Sequence, residues 1–331
     1  MTERILSGVQ SSGKLHIGNY FGAISQFVKL QDQGEGLYFI ADLHALTTVR
    51  DAKMMTQLSL DVAMDFMALG LDPKRAVLFR QSDIHEVTQL TWILMTLTPM
   101  GLLERAHSYK DKVARGISPD AGLFTYPVLM AADILAYHSD RVPVGKDQKQ
   151  HIEITRDIAV KFNTTYCPDY DPQTNEGGIL KLPQEHILDE SAVVPGIDGQ
   201  KMSKSYGNTI DIFMEDKALK KRVMKIVTDS KGLEDSKDPE SCNVFALLKL
   251  FCNEVELAEI ADQYRQGGVG YGHFKGILLE KLHQTFDEAR AKRLELESNL
   301  DYIQSVLKDG AERARAIAAP IYESVRRACG V

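Results

Sequence analysis

Residues 4–19 read RILSGVQSSGKLHIGN, and this stretch decides the fold that the sequence predicts. Residues 4–7 are typical of a short buried strand, and residues 8–13 have the glycine and serine content of a loop. Over residues 19–30 the apolar side chains recur on one helical face. A strand, a glycine-bearing loop and a helix in this order predict a strand-to-helix turn near the amino end.

The same alternation continues over the first half of the chain. Strands are predicted at 4–7, 37–40, 76–79 and 141–144, and helices at 19–30, 51–69, 122–137 and 148–162. Asp51 is placed to cap the helix at 51–69, and Gly70 is placed to end it. Strands that alternate with helices indicate a parallel sheet with crossover helices, so the predicted fold class is α/β with a Rossmann-like sheet.

The second half of the chain has a different pattern. Residues 164–200 are rich in Pro, Gly, Asp and Asn and are predicted to be irregular. No good strand follows Ile212, and helices are predicted at 216–228, 242–264, 272–306 and 308–328. This change predicts two domains, the Rossmann-like domain at 1–207 and a mostly α-helical C-terminal domain at 208–331. The last helix could pack back on the first domain.

The segment 87–103 is strongly apolar and contains Trp92, the only tryptophan of the chain. Such a segment is compatible with a helix of the core. It is equally compatible with a contact between two subunits, in which case it would belong to a dimerisation insertion of the first domain. Sequence alone does not separate these two interpretations.

The composition sets limits on the class of protein. The chain has 331 residues, of which 44% are hydrophobic and 26% charged, an ordinary balance for a globular protein. No apolar run of about 18 residues predicts a membrane span, and no apolar core of a signal peptide is visible, so cytoplasmic residence is expected. The four cysteines form no C-x-x-C pair and predict reduced thiols and no metal site.

The formal net charge of −7 argues against a protein that coats nucleic acid or binds DNA without specificity. Two local basic clusters remain. The first lies at 217–225 and the second at 313–327. From charge alone, the simpler interpretation of each is a solvated helix face.

One motif in the first loop has a competing interpretation. Residues 8–14 match G-x-x-x-x-G-K, the phosphate-binding loop of many NTPases. The next residue should be Ser or Thr, whose hydroxyl binds Mg²⁺, but this chain has Leu15. The loop also does not lead straight into a helix. The match is therefore interpreted as accidental, although the alternative stays open.

The segment His16-Ile17-Gly18-Asn19 fits a nucleotide site better. A helix that begins near Gly18 presents free N–H groups to a phosphate, and a glycine lets a ribose or base approach the backbone. His16 and Asn19 supply further polar groups. A match of four residues is weak by itself, since a buried histidine and a turn glycine would explain it equally well.

A second signature, Lys201-Met202-Ser203-Lys204-Ser205, strengthens this interpretation. The two lysines are flexible point charges that suit a pyrophosphate whose charge rises during transfer. Glycines at 199 and 207 flank the segment and allow its backbone to move. A solvated basic loop is the alternative. The two signatures in this order predict a turn and a lysine-bearing loop that converge on one triphosphate.

The two signatures resemble those of the class I aminoacyl-tRNA synthetases. Within that class, Asn19 and the segments 126–135 (YPVLMAADIL) and 145–151 (GKDQKQH) are similar to those of the bacterial tryptophanyl-tRNA synthetases. The resemblance covers nearly the whole chain. It implies a catalytic Rossmann-like domain and a helical domain that binds tRNA and its anticodon.

The resemblance also implies roles for individual residues. The residues implied to contact ATP are Gln10, Ser11, Ser12, Gly18, Asn19, Gly145, Lys146, Asp147, Val193, Lys201, Met202, Ser203, Lys204 and Ser205. Of these, Lys201, Lys204 and Asn19 are expected to act in catalysis, together with Lys112. The residues implied to enclose the amino acid are Asp133, Gly8, His44, Tyr126, Met130, Val142, Val144 and Gln148.

The chemistry of Asp133 also follows from its residue type. Asp133 is implied to be the partner of the indole N–H, which is a donor without an acceptor. A buried carboxylate would reject rings that lack a donor, since an unpaired buried charge is costly. Tyr126 and Met130 are spaced i, i+4, and Asp133 continues their stripe. A surface carboxylate remains the alternative, as does a structural histidine for His44, which follows a predicted strand.

The implied reaction is the ATP-dependent ligation of tryptophan to tRNA(Trp) in two steps, through an aminoacyl adenylate. ATP is the substrate, Mg²⁺ is carried with it, and the family is homodimeric. Three alternatives stay open: activation of tyrosine by a close relative, a nucleotidyltransferase that does not use tRNA, and a non-catalytic regulatory paralogue. Amino-acid-dependent pyrophosphate exchange would test the first alternative and a tRNA charging assay the second, and the intact signatures argue against the third.

Overall fold

The computed structural model describes residues 3–10, 13–106, 109–110, 120–145, 148–187 and 194–331. Within them, one parallel sheet has the strand order β3-β2-β1-β4-β5. The strands are β1 (Arg4–Val9), β2 (Glu35–Ile40), β3 (Val77–Arg80), β4 (Arg141–Val144) and β5 (Gln184–Ile187). The predicted α/β class with a parallel sheet is confirmed.

Helices cover both faces of this sheet and are the main elements of the rest of the described chain. They are α1 (Ile17–Asn19), α2 (Ser25–Leu30), α3 (Asp42–Ala45), α4 (Ala52–Ala68), α5 (His85–Met95), α6 (Met100–Glu104), α7 (Ala121–Leu135), α8 (Lys149–Tyr166), α9 (Asp216–Met224), α10 (Asn243–Leu248), α11 (Glu254–Gln266), α12 (Tyr271–Glu297) and α13 (Leu300–Cys329). A π-helical turn, Tyr20–Ile24, joins α1 to α2. The Asp51 carboxylate caps α4 as predicted, accepting from the Met54 N–H at 2.7 Å.

The strand order places a topological switch point beside β1. β1 pairs with β2 from Arg4 opposite Glu35 to Val9 opposite Ile40, and on its other side it pairs with β4. The chain therefore continues from β1 into the half of the sheet that contains β2, and from β4 into the half that contains β5. Ligands of open parallel sheets bind at the carboxyl ends of the strands at such a point.

The fifth strand lies where the sequence predicted irregular structure. Among the described residues β5 pairs with β4 alone, from Arg141 opposite Gln184 to Val144 opposite Ile187. Gln184 and Glu185 are exposed, as expected at the edge of a sheet. Because an edge strand has little apolar content of its own, its backbone pairing with β4 is what specifies it, and periodicity could not reveal it.

Two helix boundaries also differ from the prediction. Residues 242–264 form two helices, because Asn253 caps α11 in a capping box with Glu256. The predicted break at 306–308 is wrong: α12 ends at Glu297 and Asn299 caps α13. Gly310 lies inside α13, where a Cβ would come within 1.9 Å of the Leu78 carbonyl oxygen. This glycine therefore lets the helix approach β3 closely.

The last helix packs back on the sheet. Ala314, Ala318 and Val325 of α13 are buried in one apolar cluster with Leu6 and Phe79. Arg315 forms hydrogen bonds of 3.0–3.3 Å with the carboxylate of Glu86. A second cluster joins the other face of the sheet to helices α9 to α12. Apolar packing is therefore continuous across residue 207, and the domain boundary predicted there stays a prediction.

The segment 87–103 faces two ways. Val87, Leu90 and Leu94 are fully buried in the core of the chain, whereas Trp92 is 66% exposed.

In the described ranges no helix is both long and apolar enough to span a membrane. The four cysteines are free thiols.

Candidate functional site

A cavity of about 530 Å³ opens at the carboxyl ends of β1 and β4, at the switch point of the sheet. Its lining includes all the residues predicted to enclose the amino acid, together with Gln10 and Gly145 from the predicted nucleotide side. Those residues are Gly8, His44, Tyr126, Met130, Asp133, Val142, Val144 and Gln148. At Gly8 a Cβ would lie 2.3 Å from the Phe39 ring, so only glycine fits between that ring and the cavity.

Asp133 supplies the one carboxyl group among the described residues that line this cavity. Its side chain is 2% exposed, which rules out the alternative of a surface carboxylate. His44 Nε2 donates to Oδ2 at 2.9 Å, and Gln81 Nε2 lies 2.8 Å from both oxygens. Burial raises the pKa of Asp133, while the hydrogen bonds and charge of His44 and the amide of Gln81 act in the opposite direction.

Aromatic rings continue from this carboxylate along the cavity wall. The rings of His44 and Tyr126 meet edge to face with centroids 6.1 Å apart. The Tyr126 hydroxyl lies 2.6 Å from Nε2 of the buried His151. These contacts fix the Tyr126 ring against the cavity. A flat aromatic side chain with one polar N–H matches this combination of apolar walls and a buried acceptor.

The amino-terminal signature forms a tight cap at the start of α1. The Asn19 N–H donates to His16 Nδ1 at 3.3 Å, and the His16 N–H donates to the Asn19 side-chain oxygen at 3.1 Å. Burial, and then the charge of Lys204, lower the pKa of His16 to about 4, against the opposing effect of Asp211. His16 is therefore neutral near pH 7. Because Nδ1 accepts a hydrogen bond, its proton is on Nε2.

The competing phosphate-loop interpretation does not fit this geometry. Gly8 and Val9, the first residues of that motif, belong to β1 and pair with Phe39 and Ile40. They are therefore strand rather than part of a loop around a phosphate. Leu15 is 6% exposed and packs in the core.

The second signature follows a tight hairpin. The backbone of Pro195 bridges Lys201, and the Met202 N–H donates to the Val194 carbonyl at 2.9 Å. Buried Asn208 holds the far side, because its side-chain oxygen accepts from the Ser203 N–H at 2.8 Å. Gly199 and Gly207 have the left-handed backbone angles that such turns need, with φ of 84° and 63°. The lysine segment is thus anchored at both ends.

The two signatures lie against each other. The Ile17 N–H donates to the Ile210 carbonyl, and the Ile212 N–H donates to the Leu15 carbonyl, both at 3.0 Å. Lys204 Nζ lies 3.8 Å from where a Cβ of Gly13 would be. Segments that are almost two hundred residues apart in the sequence therefore meet at one end of the sheet, as the sequence predicted.

Gly18 also lies at this contact. A Cβ there would be 2.9 Å from His16 Nδ1 and 3.4 Å from the Met202 Cβ. A side chain at position 18 would therefore disturb both the capping histidine and the lysine loop. Partial desolvation lowers the pKa of Lys204, while the charges of Asp211 and Asp65 counteract it.

Several predicted site residues fall outside the described ranges. They are Ser11, Ser12, Lys112, Lys146, Asp147 and Val193. Of the predicted nucleotide residues that are described, Gln10 and Gly145 line the cavity, whereas Gly18, Asn19 and residues 201–205 lie at the contact of the two signatures. Among the described residues, no group of three or more His, Cys, Asp or Glu could hold a metal ion.

Two polar residues of the site escaped the sequence analysis. Gln81 is 1% exposed and bonds to Asp133, and Asn208 is 2% exposed and holds the lysine loop. Gln81 is the first residue after β3, and His44 is the fourth residue after β2, so both lie just beyond the carboxyl end of a strand. The rule that singled out His44, a polar residue at a strand end, would have found Gln81 as well. No comparable signal marks Asn208.

Comparisons with known proteins show the family of this chain. A family model described as "tRNA synthetases class I (W and Y)" matches residues 2–287. Tryptophan--tRNA ligase of Rhodopirellula baltica is 54% identical over 328 residues, covering 99% of each chain. The enzyme of the same name from Fusobacterium nucleatum is 52% identical, covering 99% of this chain and 98% of that one.

Solved structures of similar fold lead to the same family. Tryptophanyl-tRNA synthetase from Campylobacter jejuni, complexed with ADP and tryptophan, superposes with a TM-score of 0.92 at 51% identity. The match covers 99% of this chain and 100% of that one. A tyrosyl-tRNA synthetase from Archaeoglobus fulgidus is 20% identical, with a TM-score of 0.61, and shares the fold. Given the family match, the identities above 50% and the nearly complete coverage, this chain belongs to the class I tRNA synthetases, and within them to the bacterial tryptophanyl-tRNA synthetases.

Proposed function

We propose that this chain is a tryptophan--tRNA ligase. It activates tryptophan with ATP to give tryptophanyl-adenylate and pyrophosphate, and then transfers the tryptophan to the 3′ end of tRNA(Trp). The relatives named above carry this activity in their names. The observation in this chain that supports it most directly is the buried Asp133 in an apolar cavity at the switch point of the sheet.

The arrangement suits adenylation by positioning, without a protein nucleophile. Tryptophan would occupy the cavity, with its indole N–H on Asp133 and its carboxylate toward Gly8 and Gln10. ATP would lie on the side of Gly18 and Asn19, and Mg²⁺ would enter with it as part of the substrate. The neutral ring of His16 would donate a hydrogen bond from Nε2–H to a phosphate oxygen. Lys204 would stabilise the charge of the departing pyrophosphate.

The most direct experiment is amino-acid-dependent exchange of pyrophosphate into ATP, measured with each of the twenty amino acids. We expect exchange with tryptophan to exceed exchange with tyrosine or phenylalanine by about 10³-fold or more. The buried carboxylate is placed to accept from the indole N–H, and a ring without a donor at that position leaves the carboxylate unpaired. Preferential exchange with tyrosine would reassign the substrate. No exchange with any amino acid would refute the proposal.

The tRNA is proposed to bind through the helical part of the chain, within the proposed domain 208–331. The first basic cluster has exposed side chains on or next to α9, namely Lys217, Lys220, Lys221 and Lys225. Such a surface suits an RNA backbone. In the second cluster, Arg313 and Arg315 are bonded to Pro73, Ala76 and Glu86 within the chain and serve the packing of α13. With tRNA as its substrate, the protein is proposed to act in the cytoplasm.

A homodimer is part of the same proposal, and the structure suggests which residue to test. Leu94 is buried inside the subunit and cannot contact a partner, whereas the Trp92 indole is 66% exposed. A groove of about 560 Å³ beside it is lined by Ile93, Tyr166 and Tyr322, among others. We propose that a second copy of the chain covers Trp92.

We expect Trp92→Glu to weaken the dimer about 30-fold or more, because exposed tryptophans that become buried are frequent hot spots of interfaces. Light scattering over a range of protein concentrations would measure this change. Met54→Glu is the matched control, since Met54 is 56% exposed on α4, away from this groove. An unchanged dimer in Trp92→Glu would place the interface elsewhere.

A further inference from the structure

Gln81 is a buried polar residue that lies behind the cavity. Its side chain is 1% exposed, and it is absent from the cavity lining. It directly follows β3, in the turn Gln81–Asp83. A glutamine this deeply buried needs partners at both ends of its amide, because each unpaired polar atom would destabilise the fold.

Both ends of the amide are bonded. Gln81 Oε1 accepts from the N–H groups of Leu43 at 3.1 Å and His44 at 3.4 Å. Gln81 Nε2 lies 2.8 Å from each oxygen of Asp133. This chemistry also fixes the orientation of the amide. A flipped amide would set its oxygen against a carboxylate and its NH₂ group against two N–H donors.

One side chain therefore joins three elements at the carboxyl edge of the sheet: α3 with Leu43 and His44, the end of β3, and α7 with Asp133. It holds both Asp133 and the backbone of His44, the other donor to that carboxylate. A carboxylate accepts about four hydrogen bonds, so Asp133 keeps capacity for one more donor from the cavity. The direction from which the carboxylate can accept this further hydrogen bond depends on the groups that hold it in place.

We propose that Gln81 is a positioning residue that aims Asp133 at the indole N–H and thereby sets the selectivity of the cavity for rings with a donor. This inference rests on the proposed function, since it assumes that tryptophan occupies the cavity. Gln81 does not touch the substrate. It acts through Asp133 and His44, and its loss therefore changes the recognition of the ring rather than the chemistry on ATP.

The test is Gln81→Met, because methionine has nearly the length and volume of glutamine but neither polar end. Pyrophosphate exchange would be measured with tryptophan and with β-(3-benzothienyl)alanine, an isostere in which sulfur replaces the indole N–H. We expect KM for tryptophan to rise about tenfold, while kcat and KM for ATP change less than about twofold. The preference for tryptophan over the isostere should fall by about tenfold, since the isostere does not use the hydrogen bond.

Gln31→Met is the matched control. Gln31 is also a buried glutamine with both amide ends bonded, to the Gly70 carbonyl at 3.1 Å and the Asp72 N–H at 3.0 Å, away from the cavity. Its loss should lower the melting temperature by an amount comparable to Gln81→Met. The preference for tryptophan over the isostere should remain at the wild-type value.

Gln81→Asn would be measured in parallel in case the methionine variant does not fold. Its amide is shorter by one methylene and cannot bridge both partners, so the same loss of preference is expected. A folded Gln81 variant with wild-type preference would overturn the inference. So would an equal rise in KM for tryptophan and for ATP, because that result indicates a general loss of structure. If the wild-type enzyme failed to exchange with tryptophan at all, the proposed function would be at fault instead.

Discussion

Lys204→Ala is expected to lower the rate of adenylate formation by about 10²- to 10³-fold, and to change the Kd for tryptophan less than about twofold. Lys204 Nζ lies against Gly13, where the lysine loop meets the amino-terminal turn. It is a flexible cation beside the proposed position of the triphosphate. A group that meets charge as it develops on the leaving pyrophosphate contributes to the transition state far more than to binding of the amino acid.

The measurement is single-turnover formation of the adenylate, combined with calorimetric titration of tryptophan. Lys53→Ala is a suitable control, because Lys53 is an exposed lysine on α4 and its loss removes the same charge from the surface. It should leave both quantities at the wild-type values. Equal losses of rate and of tryptophan affinity in Lys204→Ala would mean that this lysine supports the fold of the loop.

Asp133→Ala is expected to have the second largest effect, weakening tryptophan binding about a hundredfold while leaving ATP binding within about twofold of wild type. Two interactions are lost in this variant. The indole N–H loses its acceptor, which costs about 1.5–3 kcal/mol of binding free energy, and 1.4 kcal/mol corresponds to a factor of ten. His44 and Gln81 lose their partner inside the protein, which lowers the stability of the fold and not the affinity for tryptophan.

Calorimetry with tryptophan and with ATP separates these outcomes. Asp133→Asn is the informative companion, since it keeps the shape and one acceptor oxygen but brings an NH₂ group toward the donors of His44 and Gln81. Its effect should be smaller than that of the alanine variant and should again fall on tryptophan alone. Wild-type affinity for tryptophan in Asp133→Ala would show that the indole has another partner.

The local elements of the fold could be predicted because they depend on short stretches of sequence. Residues 4–19 predicted a strand, a loop and a helix, and the structure has β1 and α1 there. Asp51 predicted a helix cap three residues before Met54, and that bond is present. Such features follow from side-chain spacing and turn chemistry within a few residues. β5 was missed for the same reason, because its identity comes from a neighbouring strand.

The candidate site could be predicted in part. The residues carried over by resemblance to the amino-acid side of the site all line one cavity, and the two signatures lie in contact. The roles of these residues remain predictions. Gln81 and Asn208 were missed, since their importance lies in partners that the sequence does not reveal.

By itself, the sequence determined the alternation of strands and helices, the two signatures and the family to which they belong. Only the tertiary structure decided which groups satisfy the buried carboxylate, which arginines of the basic clusters are already bonded, and where α13 packs. Gln81 and Asp133 are 52 positions apart, and Glu86 and Arg315 are 229 apart. The free energy of such contacts arises when the chain closes and removes polar groups from water, and no local pattern of residues encodes which distant group will be there.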